Sequence, residues 1–271
     1  MSSLILLPVS MIAGLIGSLL GLGGGVIVVP VLTLYFGIDI KYAVAASLIA
    51  IIATSSGAAA SFVKDHLTNV RLAIFLEIGT VFGALTGFLI SDNFNSSHLQ
   101  IFFGGFLIFS AIMMFRQKKD NRSEVNHPWS EALKLDSHFP EKGKMIYYKV
   151  AKVPIGLIVM YFAGILSAIL GIGSGIFKIL AMDGFMKLPM KVSSATSNFM
   201  IGVTASASAG AYFLKGDIKP DIVAPITIGI LIGSFFGAKL MPKMNASAIR
   251  KIFIVLMVII ATQMIIKGLD L

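Results

Sequence analysis

The sequence predicts an all-α polytopic membrane protein made of two homologous four-segment repeats, each opening with a broken first segment. Three observations carry this. The 271 residues are 56% hydrophobic and only 13% charged, with a mean hydropathy of +0.91; soluble domains carry about 25% charged residues. Apolar runs of the roughly 20 residues that span a bilayer as a helix recur along the chain. The chain also aligns with itself, without a gap, at an offset of 150 residues.

The apolar segments fall at 4–37, 43–63, 72–91, 98–116, 152–186, 192–214, 221–241 and 249–267. The N-terminus leading into the first reads MSSLILLPVSMIAG. A secretory signal opens with a positive region, and none is present, so this run reads as the first membrane segment. At 34 residues it would measure about 50 Å as one straight helix, against a hydrocarbon core of about 30 Å. It cannot be one upright span. GLGGG (21–25) divides it into a longer first arm and a shorter second arm near 26–37. GIGSG (171–175) divides segment 152–186 in the same way. Glycine permits a sharp break, and unwound backbone at membrane depth survives only against protein or a wet cavity. Both loops are therefore expected to line one cavity. A phosphate-binding glycine loop needs a strand before it, and no strand precedes either loop.

The self-alignment runs through all these elements. Gly14 falls on Gly164, and Gly21, Gly23 and Gly25 on Gly171, Gly173 and Gly175. Lys41, Ala45 and Ser47 fall on Lys191, Ala195 and Ser197; Gly79, Gly83 and Gly87 fall on Gly229, Gly233 and Gly237. This reads as an internal duplication: repeat 1 over 1–116, a polar connector over 117–151 and repeat 2 over 152–271. The connector, with mixed charge, Pro and Asn, reads as solvated and cytoplasmic. Repeats of this kind are common in secondary transporters, with the substrate site at the repeat interface.

Charge bears on the direction of the repeats. If each broken segment turns back, each repeat crosses three times and the repeats are inverted. One face then holds 17 Lys and Arg and the other 4. If each segment crosses once, the repeats are parallel and the split is 14 to 7. The positive-inside rule favours inversion, six crossings, two re-entrant segments and both termini outside. The formal charge of +9 then belongs to cytoplasmic loops; basic residues scattered between apolar spans do not make a nucleic-acid surface.

Three groups of residues could carry chemistry. The helix starts after the loops, near Val26 and Ile176, offer unpaired N–H donors and a partial positive charge to an anion. The residues concerned are Gly23, Gly24, Gly25, Gly173, Ser174 and Gly175; the competing reading is that the glycines only allow close packing. The matched turns AVAASL and SSATSNF supply Ser47, Thr196, Ser197 and Asn198, which could contact substrate oxygens, cap a helix or bond between helices. Thr54, Ser56, Thr204 and Ser206, two turns deeper, read as packing residues. Finally, Lys178 and Glu77 lie inside apolar segments, where ionisable residues face a cavity or a partner. Lys178 would add charge to the anion site, or else snorkel. Glu77 could bind a coupled proton, or else form a buried ion pair or sit at the interface. With no cysteine, and with His66, His98, His127 and His138 in loops without ligand spacing, no metal site or cofactor is expected. No nucleophile–base set points to an enzyme.

GLGGGVIVVP with AVAASL, and GIGSGIFK with MKVSSATSNFMIGVTA, resemble the TauE/SafE family of membrane proteins over nearly the whole chain. The chain departs from that family's pattern at Ser174, where a loop glycine is replaced, and at Leu180, which stands opposite Pro30. The resemblance implies an inner-membrane transporter, an exporter of small sulfur-containing anions such as sulfite, sulfoacetate or related organosulfonates. Two rival readings are a transporter of a cation or neutral solute, relying on Glu77 and unwound carbonyls, and a non-transporting membrane assembly protein.

Overall fold

The computed structural model describes residues 2–91, 96–116, 128–141, 143–170 and 174–269. Its helices are α1 (Ser2–Leu20), α2 (Gly25–Pro30), α3 (Ile40–Lys64), α4 (Val70–Ser91) and α5 (Ser96–Arg116). A short α6 (Pro128–Ala132) and a two-stranded antiparallel hairpin, β1 (Ser137–Glu141) with β2 (Lys144–Tyr148), follow. Then come α7 (Val153–Leu170), α8 (Gly175–Ile179), α9 (Met190–Leu214), α10 (Pro220–Leu240) and α11 (Ala246–Gly268). The starts of α2, α3, α4 and α5 recur 150 residues later as those of α8, α9, α10 and α11. Even the π-helical turn after α2 (Val31–Tyr35) has its counterpart after α8 (Leu180–Phe185).

By length and composition, Ile40–Lys64, Val70–Ile90 and Pro220–Lys243 can each cross a membrane, and Ile5–Leu20, Val153–Ile169 and Ile254–Gly268 are shorter apolar helices. Large apolar side chains face outward, among them Phe82, Leu89, Phe115, Phe162, Phe236 and Val255. An apolar exterior on this scale suits lipid rather than water.

Small residues set the packing. A Cβ added at Gly83 would overlap the Tyr161 carbonyl, and one at Gly233 the Met11 carbonyl. Gly79 and Gly229 meet Leu157 and Leu7; Gly87 and Gly237 meet Ile165 and Leu15. Glycine every fourth residue thus brings α4 against α7 and α10 against α1, backbone to backbone, with each pair running in the same direction. Such stripes hold helices together where lipid removes the hydrophobic drive. Gly104 on α5 lies against Ala261 and Ile265, and Gly268 on α11 against Ile101. The order reverses, so α5 and α11 are antiparallel.

Each broken segment is a helical hairpin. Gly24 sits against the Ala13 carbonyl, and farther along Val28 on α2 and Leu32 in the π-helical turn share a small apolar cavity with Leu6, Val9 and Ala13, so this arm returns alongside α1. In the second half Ala151 N–H donates to the Met186 carbonyl at 3.0 Å, and Gly156 lies against Met186. That chain too comes back to where α7 began. The break itself is a left-handed residue: Gly24 at φ 73°, ψ −17° and Ser174 at φ 54°, ψ 2°. Leu180 (φ −60°, ψ −40°) reproduces Pro30 (φ −59°, ψ −41°). Neither departure from the glycine-and-proline pattern changes the backbone.

The connector differs from a solvated linker. Its described part folds as α6 and the β-hairpin and buries Ser130, Leu135, Phe139, Tyr148 and Val150. Asp136 anchors it by accepting from Ser130 Oγ (2.5 Å) and Val150 N–H (2.8 Å). The apolar residues Leu135 and Phe139 and the run MIYY at 145–148, in an otherwise charged stretch, were the missed signal.

Candidate functional site

The two loops meet. A Cβ added at Gly175 would stand 2.5 Å from the Gly21 carbonyl and 2.8 Å from Leu22 Cα. Gly23 lies beside Ile51 and Ile201, near the middle of α3 and α9. Residues 20–26 are all buried, as are Ser174, Gly175 and Ile176. Neither N-cap residue, Gly24 for α2 or Ser174 for α8, caps its helix through a side chain.

Unwinding the chain after α1 strands carbonyls that a helix would have satisfied. The polar turn of α9 takes them. Ser197 Oγ donates to the Gly21 carbonyl at 2.6 Å and lies 3.4 Å from the Gly175 carbonyl, so it touches both loops. Asn198 Nδ2 donates to the Ser18 carbonyl at 2.8 Å and Ser194 Oγ to that of Leu19 at 3.2 Å. Thr54 Oγ1, on α3, donates to the Gly23 carbonyl at 3.0 Å. Among the described residues Asn198 Oδ1 is buried without a partner.

About one turn beyond Gly175 lies a second polar cluster. Lys178, fully buried, donates from Nζ to Glu77 Oε2 at 3.0 Å and to Thr204 Oγ1 at 2.6 Å. Thr204 Oγ1 in turn donates to Glu77 Oε1. Glu77 comes from α4, Lys178 from α8 and Thr204 from α9, so the ion pair ties the second hairpin to a helix of the other half. Lys178 therefore does not snorkel, and Thr204 is more than a packing residue. Its part could be read only once Lys178 and Glu77 were known to meet. Ser56 and Ser206 are exposed and bond to their own helices.

Thr196 bonds away from the loops. Thr196 Oγ1 accepts from Asn69 N–H at 3.0 Å, at the α3–α4 connection. Asn69 is a hub: its Oδ1 caps α4 by accepting from Leu72 N–H at 3.1 Å, while Nδ2 donates to the Leu135 carbonyl (2.7 Å) and to Tyr148 Oη (3.1 Å). Burial pushes the Tyr148 hydroxyl up to about 12. Ser47, buried on α3, donates to the Val44 carbonyl at 2.8 Å. Gly173, with Gly171, lies outside the described residues. Among the described residues no three His, Asp or Glu side chains group as metal ligands would.

Helices with an apolar exterior, joined through glycine stripes and broken at two facing loops, define a polytopic membrane transporter. Residues 6–264 match the profile of the family described as sulfite exporter TauE/SafE; the chain belongs to that family. It is 27% identical over 276 residues to the probable membrane transporter protein YunE of Bacillus subtilis, covering 99% of each chain. It is 30% identical over 266 residues to the probable membrane transporter protein MJ0441 of Methanocaldococcus jannaschii, covering 91% of each. A third relative, the probable membrane transporter protein YdhB of Bacillus subtilis, is 26% identical over 248 residues, 89% of this chain and 92% of its own. No solved structure matches. The chain is a multi-pass membrane protein, which in bacteria means the inner membrane.

Proposed function

We propose that the chain is a secondary transporter that exports a small anion, sulfite, sulfoacetate or a related organosulfonate, through a site between two inverted repeats, 1–116 and 152–271. The observation that carries the reading is the meeting of the two loops, where Gly175, at the start of α8, abuts Gly21 and Leu22. The family's description supplies the anion class and the direction. In this reading the loop N–H groups of Gly23, Gly24, Gly25, Gly173, Ser174 and Gly175 turn toward the anion. Ser47, Ser197 and Asn198 give up carbonyl partners to it as the loops part, and Thr196 holds the α3–α4 connection.

Inversion is supported by direction and by charge. The corresponding helices α5 and α11 run antiparallel, which an axis along the membrane normal would forbid. Both hairpins fold back, so residues 117–151 and 17 of the Lys and Arg share one face, the cytoplasmic one, and 4 face outside.

Purified protein in proteoliposomes should carry sulfite, sulfoacetate and isethionate in preference to acetate, choline or glycerol. Transport of choline or glycerol alone, or of none of these, would overturn the anion reading. Because the chain has no cysteine, single cysteines at the C-terminus and in the connector test the topology. A membrane-impermeant thiol label should reach the first from outside and the second only from inside.

A further inference from the structure

A buried ion pair is a poor way to hold helices together. The charges lose their hydration, and well-packed apolar residues often do as well or better. The chain contains its own control. At the offset of 150, Lys178 corresponds to Val28, Glu77 to Thr227 and Thr204 to Thr54. The first hairpin is built with those residues at the matching positions, Val28 and Thr54 from its own half and Thr227 from the other. Val28 is buried at a small apolar cavity, Thr227 Oγ1 donates to the Val223 carbonyl at 2.8 Å, and Thr54 holds Gly23. The hairpin therefore forms without a charge. The second half carries one anyway, beside the junction of the loops, on elements from both halves.

We propose that Lys178, Glu77 and Thr204 are an anion–proton exchange point: the transported anion takes the Lys178 ammonium from Glu77, and Glu77 takes up a proton as it lets go. This rests on the anion reading above. An anion added to the intact pair would put two negative charges against one positive charge away from water, which is strongly disfavoured. Protonating the carboxylate restores neutrality: one O–H bond forms on Glu77, and the proton leaves again when the anion does. The Thr204 hydroxyl suits both states, because it is donor and acceptor at once. It accepts from Lys178 while donating to the carboxylate, and can accept from the carboxylic acid after the exchange. Losing the pair also unties α8 from α4, the kind of release alternating access needs.

Few other ionisable groups come from the elements packed round Glu77. On α4 itself there is Arg71, six residues before it. Helix α7 carries no charge and one titratable group, Tyr161, in ring contact with Phe162. Helix α9 carries Lys191, paired with Glu141 at 3.7 Å, and Tyr212, whose hydroxyl donates to the Ala168 carbonyl. The continuation of α8 carries Asp183.

The test uses isethionate, a monovalent sulfonate with no proton to give near neutral pH. Proteoliposomes holding the parent protein and an internal pH dye are given an isethionate gradient. The expected result is proton movement in step with the anion and in the same direction, with a flux indifferent to an imposed membrane potential. Glu77→Gln should lose the proton movement, and Lys178→Met should bind isethionate about ten- to a hundredfold more weakly, as for a lost charge-assisted hydrogen bond. Isethionate flux in the parent without proton movement would overturn this inference and leave the anion reading standing, whatever the variants do. So would proton coupling that survives in Glu77→Gln. A parent that carries neither sulfite nor any sulfonate would overturn both, and one that carries sulfite but no sulfonate would overturn this inference alone.

Discussion

The hairpin broken at Gly24 and the hairpin broken at Ser174 share a backbone and differ in chemistry. Left-handed residues, π-helical turns and the direction of return match between them. The first is lined by Leu6, Val9, Ala13, Val28, Leu32 and Ile226 around a small apolar cavity. The second places Lys178 where Val28 stands and closes it on Glu77 and Thr204. The ends of the molecule differ as well. Asn69 at one end binds Thr196 and the connector; its counterpart Lys219 lies 3.9 Å over the Tyr42 ring instead. Backbone shape here follows from where the chain breaks and where glycine lets helices touch. Charge is added on top of that shape at the second hairpin alone, with Lys178 on the hairpin and Glu77 on α4 of the other half.

The comparison breaks most severely where the halves are equal. Gly83→Leu and Gly233→Leu each drive a side chain into a neighbouring backbone carbonyl. Both should abolish recovery of monodisperse protein in detergent, and recovery of either would show that the two stripes are not equivalent. Next in size is a change that one half alone can feel. Lys178→Met leaves Glu77 buried without its cation and should cost about 3–5 kcal/mol, read as a lower melting temperature. Val28→Met, at the matching position, replaces one buried apolar side chain by another beside a cavity and should cost less than about 1.5 kcal/mol.

Smaller effects sharpen the match between the breaks. Gly24→Ser imposes on the first loop the left-handed serine that the second already carries, at roughly 1–2 kcal/mol. The added Cβ would stand 3.1 Å from the Ala13 carbonyl, so thermal melts should show a modest loss. At the capped end, Tyr148 favours its neutral form in the folded state. Its contribution should be intact below its ordinary value of 10 and fade as pH rises from there through about 12. Tyr148→Phe should lose that alkaline step, read by proteolysis of the connector.

Much of this was legible from residues alone. Segment 4–37 was too long for one span, and the glycines at 21–25 said where it breaks; the pairing of Gly79, Gly83 and Gly87 with Gly229, Gly233 and Gly237 announced equivalent helices. The site was legible only in outline. Ser197 and Asn198 do lie at the loops, but their hydrogen bonds go to carbonyls left over by the break, which spacing along α9 cannot reveal. Lys178 and Glu77 are 101 residues apart in sequence, and only the packing of α4 against the second hairpin joins them. The connector's charge hid its few apolar residues, and Asn69 reads as an ordinary helix cap until its far side meets Leu135 and Tyr148.

The central claim is that the second hairpin's charges serve transport and not the fold. The most direct test converts that hairpin to the chemistry of the first with Lys178→Val and Glu77→Thr together, then measures melting and isethionate flux on one preparation. The double variant should melt at or above the parent's temperature, because replacing a buried pair is neutral or stabilising by about 1–4 kcal/mol, and it should carry no isethionate. A double variant that unfolds well below the parent, or one that transports as the parent does, would contradict the account.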